Sequence, residues 1–531
     1  MSDQKTLGSI FSHSSASHAL IIPSSENNSN PPIKLYYPDL KKQLSVFQNQ
    51  LYNLTTNIQS SSQHSVAIVL PNSLELTITF LGVTLSRNIA APLNPNYTLN
   101  EFKFYLEDSQ SKVVFVPRGS FEKNISAVKA AKDFDLTIFE IWWDLVNQQI
   151  KLDLKRDVIG KKANKFERKE VVPKEDDVAL LLHTSGTTGR PKGVPLTHKN
   201  LTTTMNNIVE TYKFVQEDRT LLVMPLFHVH GLICGLLATL LSGGTVVIPP
   251  KFSATTFWKD FLENECTWYT AVPTIHQILL LHPLPPNGVP KLRFIRSCSS
   301  SLAPVTLARL EQSFKVPVLE AYAMTEAAHQ VTSNPLPPAS HKPGSVGIRQ
   351  GVQVAILDET GDPTHEGEVC IKGDNVTHGY LNNPSANKSS YTKDGWFRTG
   401  DQGKFDEEGY LFLTGRIKEL INRGGEKISP LEVDAVLLAH PAISDAVSFA
   451  VPDHIYGQEI HAAVVLNKEQ QGNRSPTIIV TEKEIQEFCG KKLVKFKVPK
   501  RIYFTDLMPK TATGKIQRKN VSEIFFKKSK L

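Results

Sequence analysis

Short apolar runs rich in β-branched residues alternate along this chain with longer stretches of helical period. Val66 to Leu70 and Val113 to Val116 are runs of the first kind, bounded by turn residues, and Leu74 to Leu85 lies between them with the spacing of a helix. Runs that are apolar at successive positions suit strands buried on both faces, and intervening helices suit the crossovers between parallel strands. The pattern predicts an α/β architecture with mostly parallel sheets. The longest apolar run, Gly231 to Ile248, approaches the length of a membrane span. Ser242-Gly243-Gly244 interrupts it, so a buried helix, a turn and the short strand Thr245 to Ile248 are expected, and no transmembrane segment.

The style changes after Thr414-Gly415-Arg416. A short charged segment, Ile417 to Glu426, leads into a compact helix-and-strand region that contains Val447 to Val451 and Ala462 to Leu466. The expected division is a large N-terminal domain over 1–416, a hinge segment over 417–426, a small mobile α+β domain over 427–528, and a terminal tripeptide over 529–531. A chain of 531 residues has length for about three or four domain-sized units, so several cores are expected.

Charge and cysteine usage narrow the class. The formal charge of +7 is spread widely, apart from clusters such as Lys491-Lys492, Lys495 to Arg501 and Lys527 to Lys530. Such a surface suits anionic small molecules; charge alone leaves a nucleic acid or a membrane surface as a lesser alternative. The five cysteines, at 234, 266, 298, 370 and 489, are odd in number and lack metal-ligand spacing. They read as free thiols of a reducing compartment, most of them plain core residues. The first residues carry no basic-then-apolar signal, and Ser24 to Asn30 reads as a surface loop.

The segment Thr184-Ser185-Gly186-Thr187-Thr188-Gly189-Arg190-Pro191-Lys192-Gly193 carries the sharpest chemical signal. Small hydroxyl residues and three glycines let backbone N–H groups approach an anion, while Arg190 and Lys192 add positive charge. The spacing is not that of a Walker A loop, and no hydroxyl follows Lys192, so a different class of ATP user is implied. The run resembles the phosphate loop of the adenylate-forming superfamily, which activates carboxylic acids by joining them to AMP. Five further segments match that superfamily in its own order: Pro225 to Gly231, Ala321 to Glu326, Trp396 to Asp401, Gly415 to Ile421 and Pro509 to Lys515. Within it, Arg296 to Pro304, Glu320 to His329 and Glu419 to Pro430 are similar to the oxalyl-CoA synthetases of fungal and plant type.

Joining a carboxylate to the α-phosphate of ATP brings two anions together, so the site must neutralise charge and align the oxygen with the departing pyrophosphate. Glu326 is the candidate ligand for Mg²⁺, because a hard cation prefers carboxylate oxygen and completes its shell with water and phosphate. Thr325 beside it can donate to the α-phosphate. The resemblance implies that Thr184 to Gly189, Lys192, Ser299 and Glu320 also line the ATP site, with Tyr322 against adenine. It gives Asp401 the ribose hydroxyls and Arg416 ribose or phosphate, contacts their acceptor and donor groups can make. It implies that Lys515 bridges the acid and the α-phosphate in the first half-reaction. For the second, with the thiol of coenzyme A, it makes Lys418 the hinge and brings Arg423, Gly424 and Gly425 to the pantetheine arm.

Relatives that take aromatic or fatty acids have mostly apolar, glycine or proline residues around the acid, whereas His230, Ser299 and His329 fall at or near those positions here. Two imidazoles and a hydroxyl favour a small acid with a second polar or anionic end, and oxalate meets that description. His228 is assigned to the thiol route rather than to the acid. The expected activity is an ATP-dependent acid–CoA ligase acting on oxalate. Ligases for another short, aromatic or medium-chain acid, a luciferase-like monooxygenase, a carrier-loading adenylation domain and an inactive basic binding protein are the alternatives.

The chain ends in Ser529-Lys530-Leu531, a tripeptide that the peroxisomal import receptor reads at a free C-terminus. A peroxisomal location is expected, with room for a cytosolic pool. Deleting the three residues from a chain tagged at its N-terminus should leave activity in extracts intact and move fluorescence from puncta to cytosol. Puncta that persist in cells lacking the full-length protein would count against this address.

Overall fold

The computed structural model of the chain describes residues 5–13, 15–24, 31–54, 63–158, 172–184, 190–467, 480–510 and 516–528. Two large sheets form its greater part. In the nine-stranded sheet six neighbouring strands run parallel, from His18–Ile22 through Thr245–Val247, Arg219–Leu221, Trp268–Ala271 and Phe294–Ser297 to Val318–Met324. Antiparallel strands flank this block, Ile33–Tyr36 on one side, His329–Ser333 and Ile348–Arg349 on the other. The seven-stranded sheet repeats the plan, with a parallel centre that includes Ser65–Ile68 and Val113–Pro117 and antiparallel edges at Gln149–Arg156 and Lys192–Thr197. The strands Ser65–Ile68 and Thr245–Val247 are buried at every position, as uninterrupted apolar runs require.

The helix expected at Leu74 to Leu85 has those bounds, and Ser73 caps it by accepting from the Leu76 N–H at 3.2 Å. From Gly231 the expected helix is present with a different winding. Residues His230–Ala238 form a wide π-helix, followed by Thr239–Leu241 and the strand Thr245–Val247. Glycine accounts for the close packing there. A Cβ at Gly231 would lie 2.3 Å from the Pro225 carbonyl oxygen, and one at Gly235 would lie 2.6 Å from the Leu222 side chain, so this helix packs closely on the Met224–Pro225 backbone and on Leu222. No helix among the described residues is long and apolar enough to cross a membrane.

One sheet was not foreseen. Strands Gln353–Leu357, Glu366–Lys372, Phe397–Phe405 and Leu411–Arg416 make an entirely antiparallel four-stranded sheet, so the large domain is less uniformly parallel than its hydrophobic pattern implied. The next strand, Ile421–Arg423, already belongs to the C-terminal sheet with Glu426–Ile428, Gly457–Leu466, Ile443–Asp453 and Arg501–Phe504. Ile421 and Ile428 are buried in that sheet's own core, together with Val433, Leu437 and Ile460. The stretch set apart as a hinge, 417–426, thus contains part of a structural hairpin, and the connection between sheets is 417–420. All five cysteines are buried and free. Residues 25–30 of the expected surface loop, Ser185 to Gly189, Lys515 and the terminal tripeptide lie outside the described residues.

Candidate active site

Ligands of parallel sheets bind beyond the carboxyl ends of the strands, and several candidate residues fall there. Ser299 follows the strand Phe294–Ser297, and Thr325 and Glu326 follow Val318–Met324. The turn after Met324 is tight enough to return the chain as the strand His329–Ser333, pairing Met324 with His329. That return is strained. Ala328 and His329 have φ of 51° and 130°, and Ser299 has φ of 75°, values that non-glycine residues adopt at a cost of about 1–3 kcal/mol each.

The three residues expected around the acid are together. The rings of His230 and His329 stack with centroids 5.5 Å apart and planes inclined by 25°, and both side chains are buried. His230 Nδ1 lies 3.0 Å from Ser299 Oγ, and Nε2 lies 2.6 Å from Thr270 Oγ1. His228 is half-buried, and its Nδ1 accepts from the His230 backbone N–H at 3.3 Å. Behind this group sits Arg296, fully buried, donating from Nη1 to Thr270 Oγ1 at 3.3 Å and from Nε to the Tyr212 hydroxyl at 2.7 Å.

On the nucleotide side the Tyr322 hydroxyl donates to Asp401 Oδ2 at 2.5 Å, and Arg416 Nε pairs with Asp401 Oδ1 at 3.0 Å. The ring of Tyr322 is largely buried in the main core, so the residue also acts as a brace for Asp401, beyond the adenine contact expected of it. Asp401 and Arg416 face each other across two strands of the antiparallel sheet, which explains how residues fifteen positions apart meet. The Glu326 carboxylate accepts from the Tyr380 hydroxyl at 2.8 Å, and Lys192 Nζ lies over the Tyr380 ring at 4.3 Å. Burial pushes the Glu326 carboxyl above its usual range, while Tyr380, Arg416 and Lys192 pull the other way. Thr184 and Lys192 are opposed on neighbouring antiparallel strands, with the intervening loop outside the described residues.

Glu320 is buried, and its Oε1 accepts from the Leu302 N–H at 2.9 Å, bracing the loop that carries Ser299. Lys418 is exposed in the turn Ile417–Glu419, within the connection between sheets. Arg423 pairs with Glu459 at 2.6 Å and lies over the Tyr456 ring at 4.0 Å. Gly424 and Gly425 have φ of 59° and 93°, so the hairpin itself requires them, whatever else approaches. A Cβ at Gly425 would meet nothing within 4 Å.

Sequence reasoning missed Thr270, Arg296 as a site group, and Tyr380. Thr270 and Tyr380 lie outside the recognised motifs, and an arginine inside the strand Phe294–Ser297 offered no local pattern to single it out. One signal was available: an arginine in the otherwise short, buried run Phe294-Ile295-Arg296 must either have partners or a task.

This assembly of two mostly parallel sheets, an antiparallel sheet and a separate C-terminal sheet is that of an AMP-binding enzyme, and the chain belongs to that family. The AMP-binding enzyme model matches residues 31–381, and the model of the family's C-terminal domain matches 432–515. An oxalate–CoA ligase of Saccharomyces cerevisiae is 47% identical over 532 residues, covering 96% of this chain and 95% of its own. An oxalate–CoA ligase of Arabidopsis thaliana is 53% identical over 476 residues, covering 87% and 88%. The crystal structure of ATP-bound MatB from Rhodopseudomonas palustris superposes with a TM-score of 0.84 at 27% identity, covering 98% of this chain and 99% of that one.

Burial raises the Glu320 carboxyl from 4.5 to about 8. Below the lower value both folded and unfolded chains hold the proton. Between the two values the unfolded chain releases it first, so stability falls as pH rises, and the effect is constant above about 8. Glu320→Gln keeps an acceptor for Leu302 and removes the titration. Its stability relative to the unmodified protein should rise by on the order of a few kcal/mol between pH 5 and pH 8. Urea denaturation at the two pH values checks this, and parallel changes in the two proteins would sink it.

Proposed function

We propose that this chain is an ATP-dependent oxalate–CoA ligase, forming oxalyl-AMP and then oxalyl-CoA, with AMP and pyrophosphate released. The observation that carries the acid is the group His230, Ser299 and His329, gathered at the carboxyl ends of the parallel strands in a chain similar to oxalate–CoA ligases over most of its length. Oxalate's second carboxylate needs donors, and an apolar wall would leave it desolvated and unpaired.

In the first half-reaction an oxygen of the acid attacks the α-phosphorus of ATP and pyrophosphate departs. Lys515 is proposed to bridge the two anions, with Thr325 donating to the α-phosphate, Tyr322 against adenine, and Asp401 and Arg416 holding the ribose. In the second, the thiol of coenzyme A, having lost its proton, attacks the acyl carbon and AMP departs. Lys418 is proposed as the hinge that changes which face of the small domain meets the site, His228 as a wall of the thiol route, and Arg423 to Gly425 as the approach to pantetheine.

Glu326 suits a magnesium ion that accompanies ATP. Its carboxyl is buried and resists ionisation there, a condition that a dication beside it would offset. No group of three or more His, Cys, Asp or Glu residues that could hold a metal occurs among the described residues, so phosphate oxygens and water would complete the shell. The ion would neutralise phosphate charge.

The substrate assignment is tested by kcat/KM for oxalate, malonate, acetate, hexanoate and a hydroxycinnamate, read as coenzyme A-dependent AMP release. Preference for either of the last two would overturn oxalate, and oxygen-dependent light emission with a luciferin would indicate a monooxygenase. Lys515→Ala should lose about 10²-fold or more in adenylate formation, the scale of removing one preorganised charge, while still converting supplied acyl-AMP with coenzyme A. Equal loss in both halves would refute that division of labour. Lys418→Pro fixes one backbone dihedral, and should spare ATP–pyrophosphate exchange while thioester formation falls. A parallel decline of both would remove Lys418 from the hinge.

A further inference from the structure

Arg296 is a permanently charged group with no accessible surface, and no carboxylate pairs with it among the described residues. Its guanidinium is held by neutral oxygens alone: the Tyr212 hydroxyl at 2.7 Å, Gln330 Oε1 at 3.2 Å and Thr270 Oγ1 at 3.3 Å. Gln330 is fixed with its oxygen toward the arginine, because its amide nitrogen donates to Thr211 Oγ1 at 2.9 Å. A buried charge satisfied only by dipoles is costly, and its cost falls when an anion binds nearby.

We propose that Arg296 is a positioning residue for the acid site, acting through Thr270 to hold His230 in the tautomer that leaves Ser299 a directed hydrogen-bond donor. The hydrogen bonds run in one direction from the guanidinium. Arg296 can only donate, so Thr270 Oγ1 accepts from it. The remaining contact of Thr270 Oγ1 is His230 Nε2 at 2.6 Å, and the threonine proton goes there. Nε2 is then an acceptor and Nδ1 carries the ring proton, which it gives to Ser299 Oγ at 3.0 Å. The serine proton is thereby turned to an acceptor beyond the relay. Thr270, His230 and Arg296 are buried while Ser299 is half-exposed, so the relay starts in the interior and ends where a ligand can reach it. Each donor in such a series polarises the next, so the positive end of the array faces the acid.

This inference deepens the proposed function and rests on it for the identity of the acid, but the tautomer can be read without any substrate. In two-bond ¹⁵N–¹H spectra of histidine-labelled protein, with the His230 signal assigned by its loss in His230→Gln, the neutral ring should carry its proton on Nδ1. Thr270→Ser keeps the hydroxyl and should retain this signature, whereas Thr270→Val should lose it. The kcat/KM for oxalate should fall about tenfold in Thr270→Val, the scale of one misdirected hydrogen bond to a charged group, and much less for acetate. Thr270→Ser should restore the oxalate-to-acetate ratio to within about threefold of the unmodified protein. Arg296→Gln should lower the same ratio; Thr270→Val keeps the test decisive should that variant fail to fold. An Nε2–H ring in the unmodified protein, or an unchanged ratio in a folded Thr270→Val, overturns the relay. Failure of the unmodified protein to activate oxalate would instead overturn the substrate assignment, with the spectra still deciding the relay.

Discussion

The 2.5 Å hydrogen bond from the Tyr322 hydroxyl to Asp401 joins the end of a parallel strand to the antiparallel sheet, and Asp401 in turn holds Arg416 at 3.0 Å. Arg416 is the last residue of its strand, immediately before the connection that leads to the C-terminal sheet. Two sheets therefore meet through one buried carboxylate, at the point where the chain leaves for the C-terminal sheet. Burial and the neighbouring carboxylate both push the Tyr322 hydroxyl well above its usual pKa, so the phenol remains a donor and the carboxylate an acceptor. A nucleotide placed against this contact would meet groups already oriented, which saves reorganisation at the moment charge moves.

The legible part of the fold was the part with uninterrupted apolar runs. Leu74–Leu85 and the strands around Val66 and Val113 could be read directly, because a strand covered on both faces leaves no polar position to obscure its limits. The antiparallel sheet escaped notice because strands such as Gln353–Leu357 and Phe397–Phe405 bury only some positions and include Gly, Gln and Lys. The π-helical winding at His230–Ala238 was also beyond reach, since the apolar run around it has no period that marks it and its close neighbours, the Met224–Pro225 backbone and the Leu222 side chain, are set by tertiary packing.

At the site, residues inside contiguous motifs were legible and their supports were not. Thr325, Glu326, Asp401 and Arg416 lie in recognisable segments, but Tyr380 reaches Glu326 from fifty-four residues away, and Thr270 reaches His230 from forty. Such partners are chosen by tertiary placement, and a lone tyrosine or threonine in a sequence carries no mark of it. The strained backbone at Ser299, Ala328 and His329 is likewise a property of the tight return after Met324 and of the loop braced by Glu320.

Two anions must meet in the first half-reaction and a thiol must find the same carbon in the second, so one face of the site needs two successive occupants. The C-terminal sheet has a core of its own, so the proposed exchange across the short connection at 417–420 would leave the core of the larger part closed. The connection is nonetheless tied down. Arg518, in the final helix, donates from Nε to Glu419 at 3.2 Å and from Nη2 to the buried Asp434 at 2.9 Å, so the linker's last charged residue is held by the domain it carries. Glu419 is thereby tied to the small domain, so in the proposed rotation the backbone change would fall on the residues just before it, Ile417 and Lys418.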